Sequence, residues 1–137
     1  LHIVGGGPMK DFLEKTAAEQ GIGERVRFYG EQANPYRYMK NADLLLMSSF
    51  HEAAPMVIDE ALCLDLPVLT VRTTSSDEMV KLRHGGWVCE NSTEELTRTL
   101  IRVLSDTGEL AAVRNGLRGC YENNDTAMEQ FAELIEG

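Results

Sequence analysis

Glu52 and Glu60 stand with seven residues between them in SSFHEAAPMVIDEALCLDLPVLT, residues 48–70, where most other side chains are apolar or small. Two carboxylates so placed suggest distinct chemistries. As acid and nucleophile about a glycosidic bond they would hydrolyse a sugar. As acceptors they would take hydrogen bonds from the hydroxyls of a ligand. The first needs a pre-shaped sugar groove and carboxylates at strand ends, yet Glu60 falls inside a helical pattern. A third role is structural, a carboxylate paired with an arginine or a backbone amide.

The helical pattern is PMVIDEALCLDL. Pro55 suits the first helical position, which makes Ala54 the N-cap. Alanine offers no oxygen to the free N–H groups of the first turn. A ligand phosphate would supply that partner, aided by the positive end of the helix dipole. Ala53 and Ala54 are small enough to let it reach the backbone. A water-solvated end is the alternative, and the cap alone does not choose between them. Glu60 adds weight. Met56, Val57, Cys63 and Leu64 flank it at spacings of three and four, and a helix this apolar is expected to be buried on most sides. A carboxylate there is costly unless hydrogen-bonded. Side chains lean toward a helix's N-terminus, and five residues rise about 7 Å, close to the span from a phosphate to the hydroxyls of its ribose. Glu60 is therefore expected to hold a ribose while the helix end holds the phosphate. Glu52 would face what lies beyond.

Several elements must position this segment. Apolar runs at 1–5, 25–30, 42–49 and 67–71 read as strands, nearly all apolar rather than alternating, as in a sheet covered on both faces. Helical patterns fall between them. Met9, Phe12, Leu13, Thr16 and Ala17 share one face, Pro8 suits a helix start and Gly21 a helix stop. A short helix is expected over 35–40 and a longer one over 55–64. This alternation predicts a parallel α/β sheet, whose ligands lie beyond the carboxyl ends of the strands, in the loops at 5–8, 30–35, 48–55 and 73–76. Later come a turn and helix in TTSSDEMVKL and an edge strand in GGWVCE. Ser92 and Glu95 then form a capping-box pattern ahead of Leu96, Leu100, Val103 and Leu104. Further helices are expected over 109–121 and 126–135, with Met128, Phe131, Ala132 and Ile135 on one face, reading as core.

The 137 residues suffice for one domain with a core. Thirteen basic against 22 acidic residues, net charge −9, argue against nucleic acid or an anionic membrane as the main partner. Cys63, Cys89 and Cys120 match no metal or redox spacing and read as buried free thiols. His2, His51 and His84 are scattered, with no zinc pattern. No signal peptide, membrane span or lipidation motif is evident, so the expected compartment is the cytoplasm. The chain opens inside a strand with no initiator methionine, which reads as a piece of a longer polypeptide.

HEAAPMVIDEALCLDLPV resembles the E-x7-E segment of retaining glycosyltransferases of the GT-B fold (glycosyltransferase family 4, glycosyl transferases group 1), among them bacterial polysaccharide and lipid-linked sugar transferases. The usual pattern is E-G-x-P-x-x-x-x-E-A, a glycine, then P-V, matched here by Glu52, Pro55, Glu60, Ala61, Pro67 and Val68. IVGGGP, VRFYG with NPYRYMKNADLLLMSS, and GGWVC extend the likeness along the chain. The resemblance implies an α/β fold, a Rossmann-like parallel sheet flanked by helices with extra C-terminal helices. Residues 1–137 would be the sugar-nucleotide donor domain of GT-B type, truncated at its N-terminus and lacking the N-terminal acceptor domain. It also implies site roles: Glu60 on the ribose hydroxyls, backbone N–H groups of Met56 and Val57 beyond Pro55 on the diphosphate, and Glu52, the catalytic candidate, with Ala53 and Ala54 at the donor sugar. Gly30 and Glu31 would line the base pocket. The donor would be a nucleotide-diphosphate sugar, with no metal and no further cofactor. The acceptor, a glycan or lipid-linked saccharide, would bind through the missing domain, with peripheral membrane association of the full-length protein.

Two glycines of the pattern are replaced, by Ala53 and by Asp65, the latter at a position where aspartate can enter the left-handed region. The family's Arg/Lys pair facing the diphosphate comes from an earlier segment, so this piece alone is expected to be inactive. A non-catalytic sugar-nucleotide-binding module is the alternative. A receiver-like signalling domain is a weaker one, because IVGGGP and LLLMSS lack the acidic residues it needs.

Overall fold

The computed structural model describes residues 1–49, 51, 55–81 and 83–119, which fall into two compact units, Leu1–Tyr38 and the part from Met39 onward. The first is a βαβ unit. Strand β1 (His2–Ile3) pairs in parallel with β2 (Arg27–Phe28), His2 opposite Arg27 and Ile3 opposite Phe28. Between them run helix α1 (Lys10–Glu19) and a 3-10 turn at Gly23–Arg25. Both strands are shorter than the apolar runs that announced them, because the chain turns at Gly5 (φ 132°) and Gly30 (φ 63°). The helix starts at Lys10, two residues later than Pro8 suggested, and after its last residue, Glu19, the chain turns off at Gly21, the expected stop. Gly21 sits at φ 71°, its N–H bonds Ala18 O at 3.0 Å and that of Ile22 bonds Ala17 O at 2.9 Å, the paired bonds of a Schellman end.

The apolar stripe of α1 departs from expectation. Only Ala17 is buried, while Phe12 keeps 59% of its surface exposed and Met9 and Leu13 are also exposed. The stripe marks one helical face, but that face does not reach a core among the described residues.

Helix α2 (Tyr36–Met39) leads into the second unit, where three parallel strands lie in the order β3 (Leu45–Met47), β4 (Val68–Val71), β5 (Gly86–Cys89). Helix α3 (Met56–Cys63) connects β3 to β4, α4 (Ser76–Lys81) connects β4 to β5, and α5 (Thr93–Ser105) and α6 (Thr107–Leu117) follow. Every residue of β4 is buried. Its pleat sends Val68 into a cluster with Met47, Ile58, Ala61, Leu62, Leu66, Val80 and Leu117, from β3, α3, α4 and α6. Leu69 and Val71 point the other way, into a cluster with Cys89, Leu46, Trp87, Leu96 and Leu100. Helices thus cover both faces of the sheet, which is why its strands read as continuous apolar runs.

Local chemistry sets the helix ends. Asp65 occupies the left-handed region at φ 55°, with its N–H on Leu62 O and that of Leu66 on Ala61 O, so the replaced glycine keeps its conformation. His84 (φ 49°) closes α4 with the same pair of bonds, from His84 N to Lys81 O and from Gly85 N to Val80 O. Ser92 caps α5, its hydroxyl accepting from Glu95 N at 3.2 Å. The reciprocal half of the capping box is replaced, since Glu95 pairs with Arg98 at 2.7 Å and Ser92 N bonds Glu90 O. Asp106 caps α6 through Glu109 N at 2.9 Å. Of the apolar residues after the Ser92 cap, Val103 is buried and Leu104 is exposed.

Of the thiols, Cys89 is buried, donating to Thr70 O at 3.6 Å, and burial raises its pKa. Cys63 is exposed, against expectation, because it lies on the outer side of α3. Cys120 and the helix expected over 126–135 lie outside the described residues.

Strand β5 approaches β4 through Gly86, where a built Cβ would stand 1.8 Å from Val68 O. No side-chain rotation relieves a clash with backbone. Gly86→Ala is expected to cost about 3 kcal/mol or more, measured by urea unfolding; a loss below about 1 kcal/mol, the size of an ordinary surface change, would contradict so close a contact.

Candidate functional site

In each unit the loops after parallel strands gather at one edge of a sheet, and the sequence-derived candidates fall on them. In the second unit α3 starts just after the loop that follows β3. Pro55, not Ala54, is its N-cap, with φ −75° and ψ 100°, and Met56 is the first helical residue. The helix begins one residue later than expected because the ψ of Pro55 is extended. The chemical consequence stands: no side chain caps this end, and a proline N-cap has no hydroxyl or carboxylate to offer. The N–H of Ile58 bonds Pro55 O at 3.0 Å. Pro55 is buried, Met56 is 75% exposed and Val57 packs partly against the core. Glu60 is half-buried. The helix is therefore not enclosed on most sides. Ile58, Ala61 and Leu62 form its buried face, and Glu60 lies between that face and the exposed side carrying Met56 and Cys63. Glu52, Ala53 and Ala54 lie outside the described residues.

The loop after β4 holds a polar arrangement that sequence reasoning located without resolving. Ser76, fully buried, accepts from Thr73 N at 2.8 Å and donates to Val71 O at 3.0 Å, so one hydroxyl closes the turn. Arg72 pairs with Asp77 and, at 3.3 Å, with Glu90. Lys81 reaches the same Asp77 oxygen at 3.0 Å. Thr73 Oγ1 and Asp77 Oδ1 are enclosed without a hydrogen-bond partner among the described residues. The only sequence signal was an arginine directly after a strand with an aspartate five residues on, and nothing in that spacing names Glu90.

In the first unit the loops after β1 and β2 meet. Gly5 N donates to Gly30 O at 2.8 Å, an isolated bridge between them. Glu31 is exposed, and its side chain runs beside Gly6, where a built Cβ would lie 3.1 Å from Glu31 Cγ and 3.2 Å from Oε1. Gly30 and Glu31 thus lie beside the glycine loop. Sequence reasoning missed the side chains behind them, Gln32, Arg37 and Tyr38. Among the described residues no group of three or more His, Cys, Asp or Glu is placed to hold a metal, and no helix is long and apolar enough to cross a membrane.

The sequence profile of the family described as Glycosyl transferases group 1 matches residues 1–118. The chain belongs to that family. Curated relatives of this glycosyltransferase domain include the lipopolysaccharide glucosyltransferase WaaG of Escherichia coli, 28% identical over 141 residues that cover 100% of the chain and 37% of WaaG. Another is the lipopolysaccharide core biosynthesis glycosyltransferase LpsD of Rhizobium meliloti, 29% identical over 114 residues, 83% of the chain and 30% of LpsD. The crystal structure of WaaG superposes with a TM-score of 0.80 over 100% of the chain and 38% of its own. That of Anabaena HepE, solved with UDP, gives 0.79 at 22% identity over 98% and 40%. The fold is therefore that of GT-B glycosyltransferases, and the chain spans well under half the length of these relatives.

At the β4 edge, Lys81 bonded to Asp77 lowers the Asp77 pKa below the ordinary 3.8, with Arg72 adding to it against the opposing effect of burial. A depressed folded-state pKa contributes stability above the ordinary aspartate range and loses it as pH falls through the folded value. The stability difference between wild type and Asp77→Asn, followed by urea unfolding, is expected to be full at neutral pH and to close on acidification. A difference that stays constant down through the carboxylate range would contradict this.

Proposed function

We propose that the domain binds a nucleotide-diphosphate sugar and, with an N-terminal acceptor domain, transfers the sugar with retention of anomeric configuration. The observation that carries this reading is the uncapped start of α3 with Glu60 one turn inside it. Helix α5 begins at the same edge of the same sheet and brings its own acceptor, Ser92. Helix α3 brings none, so its first N–H groups suit an anionic ligand.

In this scheme the N–H groups of Met56 and Val57 take the diphosphate. Glu60, four residues on from Met56 and so about 6 Å along the axis, accepts from the ribose hydroxyls. Its half-buried position keeps it reachable, which full enclosure would not. Glu52, the catalytic candidate, contacts the donor sugar with Ala53 and Ala54, and Gly30 and Glu31 line the base pocket. In the reaction the bond from the anomeric carbon to the diphosphate oxygen breaks and a bond to an acceptor hydroxyl forms on the same face. The hydroxyl proton leaves with the diphosphate. The main demand is to stabilise charge building on that leaving group, which preorganised N–H dipoles meet without a metal. The relatives named for lipopolysaccharide synthesis support a glycan or lipid-linked acceptor. The HepE structure with UDP supports a nucleotide donor.

Glu60→Ala in the full-length protein is expected to weaken donor binding by about ten- to a hundredfold, the loss of charge-assisted hydrogen bonds. Calorimetric titration with UDP and GDP tests this, and wild-type affinity for both would remove Glu60 from the ribose. EDTA is expected to leave transfer unchanged; activity lost to EDTA and restored by Mn²⁺ would overturn the metal-free scheme. Donor binding without transfer to any acceptor would favour a non-catalytic binding module.

A further inference from the structure

Glu31 lies between two residues whose conformations are fixed. Before it, Gly30 turns the chain at φ 63° and gives its carbonyl to Gly5. After it, the side chain of Gln32 folds back, and Nε2 donates to Tyr29 O at 2.7 Å, closing residues 29–32 into a ring. The other end of the same amide is also taken: Gln32 Oε1 accepts from Arg37 Nη2 at 2.9 Å and from the Tyr38 hydroxyl at 3.0 Å. Arg37 in turn donates to the Tyr38 hydroxyl and lies over its ring, 4.6 Å from the centroid. Tyr38 packs on Tyr29 at 4.4 Å between centroids, and Tyr29 stacks on His2. A flipped amide would set its NH2 against the Arg37 donor and its oxygen against the Tyr29 carbonyl, so one orientation is dictated. The turn is thereby tied to the start of α2 on one side and to the glycine loop on the other.

We infer that Gln32 is a positioning residue that fixes the Glu31 carboxylate beside Gly6, over the backbone of the glycine loop. An ionised carboxylate only accepts hydrogen bonds, so what Gln32 sets is the direction of an acceptor available to N–H groups of a nucleobase. That last step rests on the proposed placing of the base at Gly30 and Glu31. The hold on Glu31 does not.

The test separates the two. In the full-length protein labelled at Glu and Gly, wild type is expected to show NOEs from Glu31 Hγ to Gly6 Hα without ligand. Gln32→Ala should lose them while the Gly5 amide stays protected from exchange. Gln32→Glu keeps the acceptor for Arg37 and Tyr38 but deletes the donor to Tyr29 O; it should lose the NOEs too, and it carries the test if the alanine variant does not fold. NOEs that persist in the folded variants overturn the inference. Calorimetry with UDP and GDP reads the consequence: Gln32→Ala should weaken the tighter nucleotide about five- to twentyfold, of the order of one or two hydrogen bonds. Glu31→Ala should do the same, and the double variant should bind no worse than Glu31→Ala alone. Additive losses in the double variant would mean that Gln32 does not act through Glu31, and would also overturn it. If Glu31→Ala changes neither affinity, the base-pocket reading falls, and the NOEs still decide what Gln32 does.

Discussion

The burial of β4 on both faces is the constraint from which the second unit follows. A strand with no residue open to solvent must have helices on each side, and parallel neighbours require those helices to be crossovers. Each crossover leaves the sheet at the carboxyl edge and returns at the other. The loops after β3 and β4 are therefore forced to the same edge, whatever their sequences. Space for the crossovers is tight. Leu66 and Pro67 are already buried as the chain enters β4, and Gly86 is needed to let β5 lie against Val68.

Tight returns place demands on helix ends. Among the described residues, α1, α3 and α4 each close with paired hydrogen bonds about a left-handed residue, which in α3 and α4 is not glycine but Asp65 and His84. Left-handed aspartate and histidine cost more than glycine in the folded state, yet they restrict the unfolded chain more, so the replacement need not weaken the fold. The starts of helices differ from their ends in this respect. Ser92 and Asp106 satisfy α5 and α6 with their own side chains, while α3 begins on a proline that cannot. Like α1, whose N-cap is Met9, α3 is left without a side-chain cap, and its start lies at the carboxyl edge of the three-stranded sheet.

Features encoded by one element were legible in the sequence, and features made between elements were not. The apolar run PVLTV announced a strand covered on both sides, the Ser92 cap followed from local spacing, and the left-handed Asp65 from the glycine it replaces in the pattern the segment resembles. The exposure of Met56, Cys63 and the α1 stripe was misjudged for a common reason: periodicity says which residues share a face, not whether another layer meets it. Gln32 escaped notice because its partners at 29, 37 and 38 come together only through a turn and a helix start, and glutamine has no compositional signature at such a place. Arg72 escaped notice too, because one of its partners, Glu90, enters from beyond another strand.

A net charge of −9 looks unsuited to an anionic ligand, and the pairing of the cations near this edge sharpens the difficulty. Arg72 is engaged by Asp77 and Glu90, and Lys81 by Asp77. For the proposed donor, long-range attraction would then not be the means of binding, and at physiological salt it would be screened beyond about 8 Å in any case. Backbone N–H groups at a helix start work differently. They carry no net charge, act only within the first turn, and are already oriented before a ligand arrives. On the proposed reading an acidic domain would hold a diphosphate in this way, because the donors would belong to the main chain, where the count of acidic side chains does not reach.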